Sequence, residues 1–381
     1  MKKQLLSTSA IALGVAMAAP ATAQEWDMNW GGFANTHIGA VDVSGTGIAP
    51  GADFDGVDVY TNSEVIFSPS VTLDNGLTMG FSVQFEALNS GTSEIDESYV
   101  TIEGDMLGKI ILGSENSAGY LLMGSVYTPG IASMAINSYS ISGFIPTTGT
   151  SGFRQAGISS LTEVAGNNDV QRISYFTPSF NGLTLGVSYA ASGDVNAANN
   201  FAPNRNAVTI TDIFDIGVGY QQSFNGVDLG LAARWGTANT NLVGVSDPET
   251  WGIGATVGVN NFTFGATYTE NDNGGPNGVG GVVTGSGGGA GADSEGYSLG
   301  VNYDIAGPWS VGAETYQGEV QTGVGNPTSD YEAYKVGATR DLGAGVSWDV
   351  YYLYTEQNNG TVAGNPKIEG NMLATAINLS F

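Results

Sequence analysis

The chain has no cysteine, one histidine, and only ten basic residues against 36 acidic ones. Without cysteine there can be neither disulfides nor thiolate metal sites. One histidine leaves little for a Ser-His-Asp or Cys-His arrangement, so His37 reads as a wall or lumen residue and no enzymatic activity is expected. A formal net charge of −26 argues against nucleic acid, which demands a basic face. Long apolar runs are missing too. Nothing after the first residues approaches 18 consecutive apolar side chains, so no membrane-spanning helix is expected. Gly288-Gly289-Ala290-Gly291-Ala292-Asp293 matches a calcium repeat once. That repeat needs tandem copies to stack, and a Gly-rich loop is the simpler reading. No cofactor and no metal are expected.

What is present begins with a leader. Lys2 and Lys3 precede a short apolar core, Ile11 to Ala19, and an A-x-A site, Ala21-Thr22-Ala23. Residues 1–23 therefore read as a secretory signal peptide cut before Gln24. The mature chain, 24–381, keeps eight basic residues against 36 acidic ones. Such a charge suits a polar surface or lumen that meets water and cations.

Sixteen strand-like runs follow. Fourteen form pairs joined by short turns: Val57–Leu73 with Leu77–Leu88, Glu94–Glu103 with Lys109–Glu115, Val170–Phe180 with Leu183–Ala191, Ala207–Ser223 with Val227–Thr237, Thr250–Val259 with Phe262–Glu270, Glu295–Ile305 with Trp309–Gln321, and Tyr331–Asp341 with Val346–Glu356. Asn29–Asp42 and Lys367–Phe381 stand at the two ends. Several turns carry Asn-Gly, the strongest short hairpin signal. The long connections alternate with the short ones, which is the pattern of a transmembrane barrel. A membrane protein of this composition must be a closed barrel, because only closure satisfies every backbone group in lipid.

The alternation assigns faces. Leu77, Met79, Phe81, Val83 and Phe85 interleave with Thr78, Gly80, Ser82, Gln84 and Glu86. A soluble sandwich shows the same period, so the aromatics decide. Phe180, Phe224, Phe262, Trp309 and Trp348 lie beside short turns, and Tyr189, Tyr268, Tyr297 and Tyr354 lie nearer the long loops. Two such girdles mark the interfaces of a lipid-facing surface. By alternation Glu64, Gln84, Glu86, Glu97, Tyr99, Arg172 and Arg234 point inward.

One connection stands apart. Residues 116–169 are too long for a turn yet too apolar for disorder, with Leu121, Leu122, Met123, Ile131, Met134, Ile136, Ile141 and Phe144. The segment is expected to fold inside the wall and narrow it. Glu115, Arg154, Glu163 and Asp169 lie on it or flank it, so they join the pore-lining candidates.

RISYFTPSFNGLTLGVSYA, ESYVTIEGDMLGKIILGSENSAG and the terminal INLSF resemble Gram-negative general porins, especially the alphaproteobacterial, Rhodobacter-type group. The resemblance spans essentially the whole mature chain. It implies an all-β, 16-stranded antiparallel barrel in the outer membrane, with the long third loop folded into the lumen. It also implies a homotrimer. The expected function is a water-filled channel for passive diffusion of small hydrophilic solutes and ions. A porin selective for one solute class, or an outer-membrane adhesin or structural barrel, are the alternatives. One departure stands out. Such porins carry an arginine cluster on the wall, and here residues 24–108 contain no Arg or Lys. Acidic inward candidates outnumber basic ones, so cation preference is expected.

Overall fold

The computed structural model describes residues 25–88, 95–126, 130–137, 139–146, 163–198, 200–241, 246–272, 293–321, 328–360 and 363–381. The leader lies outside them. So do Arg154 and all of the Gly-rich motif except Asp293.

Sixteen strands appear among the described residues. They are β1 (Asp27–Ser44), β2 (Gly56–Thr72), β3 (Thr78–Leu88), β4 (Ile95–Gly104), β5 (Gly108–Ser114), β6 (Gln171–Phe176), β7 (Leu183–Ser192), β8 (Ile210–Phe224), β9 (Val227–Thr240), β10 (Glu249–Val259), β11 (Phe262–Asp272), β12 (Ser294–Asp304), β13 (Trp309–Gln321), β14 (Thr328–Gly343), β15 (Val346–Asn358) and β16 (Lys367–Ser380). Each pairs with its sequence neighbour, and β1 pairs with β16, which closes the barrel. All pairs are antiparallel. At the seam, Phe381 and Gly32 exchange both backbone hydrogen bonds at 3.1 Å. The terminal phenylalanine thus completes the ladder.

The Asn-Gly turns behave as their chemistry requires. Asn181-Gly182 and Asn225-Gly226 both take positive φ at both positions, 49° and 85°, then 50° and 82°. That is the turn whose twist matches the flanking strands. Where strand ends differ from the sequence reading, a local cause is visible. β6 stops at Phe176, short of Phe180, because Pro178 has no N–H to continue the ladder. β8 starts at Ile210 rather than Ala207, because Asn204 draws the 204–208 backbone into a turn of its own.

Within the strands, the exposed large apolar side chains lie on the outer face. On β16, Leu373 is 61% exposed while Met372 and Ala374 are buried. The inversion is that of a lipid-facing wall. It yields a direct test. Leu299→Arg or Ile253→Arg, outward in mid-strand, should destabilise the protein by about 2–4 kcal/mol in bilayers. Glu86→Arg and Thr263→Arg, which face inward, should cost far less. Unfolding titrations in lipid vesicles read the difference, and equal costs would reject the assignment of faces.

The inner face departs from simple polarity. Tyr316, Val320, Tyr331, Ala333, Tyr351, Leu353, Met372, Ala374 and Ala376 point inward and are buried. They are covered by Met134, Ile136, Ile141, Phe144 and Ile145 of the segment between β5 and β6. On the other side, helix α1 (Ala118–Met123) packs against β7, β8, β9 and β10. Ser117 caps it, its hydroxyl accepting from the Tyr120 N–H at 3.2 Å. Two wall glycines make the seat. A Cβ on Gly217 would stand 2.8 Å from the Gly119 Cα, and one on Gly254 would stand 2.6 Å from Val126. These positions stay bare so that the helix and the turn after it, Gly124–Val126, can lie against the wall.

Candidate functional site

The inner wall is acidic on one side. Glu64 on β2 pairs in register with Glu86 on β3, and both remain half-buried, facing inward. Next along the wall, Gln84 faces Glu97 of β4 and donates to its carboxylate from Nε2. Asn116 donates to the other Glu97 oxygen at 2.8 Å. Tyr99 lies opposite Ser82 and is half-buried. Glu115 is buried at the start of the segment and accepts from the Asn116 N–H at 2.8 Å.

Alternation alone would send Asp96 outward, since Glu97 points in. A register shift in the β3–β4 ladder prevents that: Gln84 pairs with Glu97 and Phe85 with Ile95, which leaves Asp96 as an extra residue. Such a bulge re-aims a side chain. One carboxylate oxygen each from Asp96, Glu97 and Asp169 then lie within 4.8 Å of one another. Asp169 sits just before β6 with φ of 48°, its carbonyl held by the Ser114 hydroxyl at 2.7 Å. Burial, reinforced by the Asp96 charge, pushes the Asp169 carboxyl up to about 8.

The basic candidates are used elsewhere. Arg234 faces inward, but its side chain is wholly buried against the segment. Its Nη2 donates to Asp215 at 2.5 Å and to Glu163 at 3.0 Å. Both carboxylates also accept from the segment's backbone: Glu163 from the Ser117 N–H at 2.6 Å, and Asp215 from the Gly119 N–H at 2.5 Å. Burial alone would raise the Glu163 carboxyl, but Arg234 and then Arg172 outweigh it and hold it below the usual range. Arg172 is buried too, donating to the Asn167 carbonyl at 2.6 Å. Neither arginine offers its charge to open water.

A second anchor lies across the barrel. Lys335 pairs with Glu314 at 2.5 Å and donates to the Met134 carbonyl. Tyr331 donates to the Ile136 carbonyl at 2.8 Å. The Ser133 N–H donates to Asp349 at 3.0 Å. The Ser133 hydroxyl lies 3.3 Å from His37 Nε2 and donates to Asn378 at 2.5 Å. The other nitrogen of His37 faces the Tyr351 hydroxyl at 3.0 Å. Sequence reasoning missed Asp96, Asp215, Glu314, Lys335 and Asp349. For the last four the inward parity of their strands was a usable signal; for Asp96 the bulge hid it.

A family model described as Gram-negative porin matches residues 7–360. The chain belongs to the Gram-negative porin family. Family and closed barrel place this porin in the outer membrane as a channel. Its fold is shared with an anion-selective porin from Comamonas acidovorans, at 16% identity and TM-score 0.62, covering 94% of this chain and 100% of that one. It is shared also with Salmonella typhi OmpF, in complex with daunomycin, at 14% identity and TM-score 0.60, covering 94% and 98%. The outer-membrane channel DcaP of Acinetobacter baumannii gives 11% identity and TM-score 0.62, covering 95% and 99%. No curated protein sequence matches this porin.

The remaining described cations of the porin lie towards its rims. Lys109 is opposite Glu103 near a short turn, and Arg340 lies over the Trp309 ring at 5.6 Å. Arg205 lies 3.9 Å from Asp212. Lys367 bridges Glu356 and Glu369 at 2.7 and 2.6 Å.

Proposed function

We propose that this porin is a cation-preferring diffusion channel for small hydrophilic solutes and ions. In this reading the segment 116–169 folds into the lumen and narrows it, the leader 1–23 is removed on export, and three chains assemble in the membrane. The observation that carries the selectivity is an asymmetry of use. Arg172, Arg234 and Lys335 are buried in contacts that hold the segment, whereas Glu64, Glu86 and Asp96 stay half-exposed on the inner wall. Carboxylates around a narrow passage favour cations.

The reversal potential across a KCl gradient tests it. Potassium should be preferred over chloride at low salt. The preference should fade as the screening length drops from about 30 Å at 0.01 M to about 3 Å at 1 M. The double variant Glu64→Gln, Glu86→Gln should move the potential towards zero. Chloride preference at low salt would reject the reading.

A further inference from the structure

The lipid-facing wall is not smooth between β11 and β15. On β13 the outward residues are small: Ala313 lies between Val301 and Val336, and Thr315 lies between Leu299 and Tyr334. Large side chains on both flanks and small ones between them leave a trough along β13. Its volume is about 660 Å3, and Phe264, Leu299, Val336 and Tyr352 supply apolar sides. That is the size of a small-molecule pocket, and the bilayer around it offers methylenes to fill it.

Towards the long loops the same strand changes character. Gln317 follows Thr315, with Tyr297 opposite it. The Tyr297 hydroxyl donates to Gln317 Oε1 at 2.6 Å, and Gln317 Nε2 donates to the Tyr334 hydroxyl at 3.0 Å. Such a row of tyrosines marks the level where lipid tails give way to head groups. Beyond it lies a recess of about 290 Å3, lined by Glu295, Glu319, Asp330, Glu332 and Glu356. Glu319 stands in register between Glu295 and Asp330, and Glu332 stands opposite Glu356. Like charges directly opposite one another on a sheet repel. Lys367 pairs with Glu356, but among the described residues no Lys or Arg makes an ion pair with the other four. Trough and recess together span about 20 Å of strand, from Ala313 to Glu319.

We propose that this stretch of outer wall binds one membrane lipid whose head carries a primary ammonium group, with an acyl chain in the trough and the ammonium among the carboxylates. An ammonium brings three N–H donors and offsets the repulsion between the glutamates. An anionic head without an amine would add to that repulsion. The site lies wholly on the outer face, so it does not rest on the selectivity of the pore.

Native mass spectrometry of the full-length porin in detergent tests the proposal, with phosphatidylethanolamine, phosphatidylglycerol and lipid A as probes. Phosphatidylethanolamine should bind at one saturable site per chain, at least about tenfold tighter than phosphatidylglycerol, as expected for hydrogen bonds to charged groups. Ala313→Trp fills the trough, and Glu319→Gln with Glu332→Gln discharges the recess. Each should abolish the preference for phosphatidylethanolamine while leaving the reversal potential of the pore as in the wild type. The double variant relieves repulsion and keeps the side-chain shapes, so it decides alone should Ala313→Trp fail to assemble. Equal binding of the two phospholipids overturns the proposal, as does a preference that survives discharge of the recess. Displacement of phosphatidylethanolamine by lipid A only when CaCl2 is present would give the recess to metal-bridged phosphates, and the proposal fails. It fails too if Ala313→Trp breaks up an oligomer, since a second copy then covers the trough.

Discussion

Arg234→Ala should destabilise the porin by about 3–5 kcal/mol, the cost of stranding buried carboxylates without their partner. Two are stranded here, Asp215 on the wall and Glu163 on the segment. Chemical unfolding in detergent micelles measures the loss. Arg234→Lys should recover only part of it, because a lysine ammonium is a point charge without the planar fork of guanidinium. Asp215→Asn with Glu163→Gln and Arg234→Met removes all three charges together and should cost less than Arg234→Ala alone. If Arg234→Ala is near neutral, or the triple variant is the worse of the two, the buried triad is not what holds helix α1 to β8 and β9.

Phe144→Ala should cost about 3–5 kcal/mol, the range for a buried aromatic cut back to a methyl group. Phe144 is 3% exposed, with its ring centroid 6.2 Å from that of Tyr60. A Cβ on Gly39 would stand 3.0 Å from its ring, so the ring fills a space that β1 leaves for it. The cavity lies between segment and wall, not between strands. The loss should therefore appear as local release: protease cuts within 130–146, single-channel current becomes noisier, and strand content by circular dichroism is unchanged. Loss of strand content in step with the protease cuts would mean that segment and barrel unfold as one unit.

Strand order and facing were legible because period-two alternation and Asn-Gly turns are local. Each needs only its own ten or so residues, and the wall followed the runs to within a few positions. The interior was less legible, for two reasons. Inward parity says where Arg234 points, but not that Glu163, 71 positions away, arrives to cover it. An arginine that looks pore-lining in sequence is an anchor once the segment docks. The apolar inward residues of β14 and β15, such as Tyr331, Tyr351 and Leu353, likewise contradict a polar lumen until their cover is known. Asp96 failed differently. A single extra residue in β4 reverses its face, and nothing in Ile95-Asp96-Glu97 announces it.

The second anchor also fixes an order of events. Ser133 meets Asp349 across 216 positions, and Tyr331 meets Ile136 across 195. His37, from the first strand, reaches Tyr351 across 314. Contacts so far apart in sequence form late, since the chain between them must be ordered first. Met134 and Ile136 therefore have no anchor until β14 is in place. A nascent barrel shortened at its C-terminus carries an exposed greasy strap, a handle for periplasmic proteases and holding factors. Completion of the wall hides it, so burial of this strap is a signal that the whole chain has been inserted.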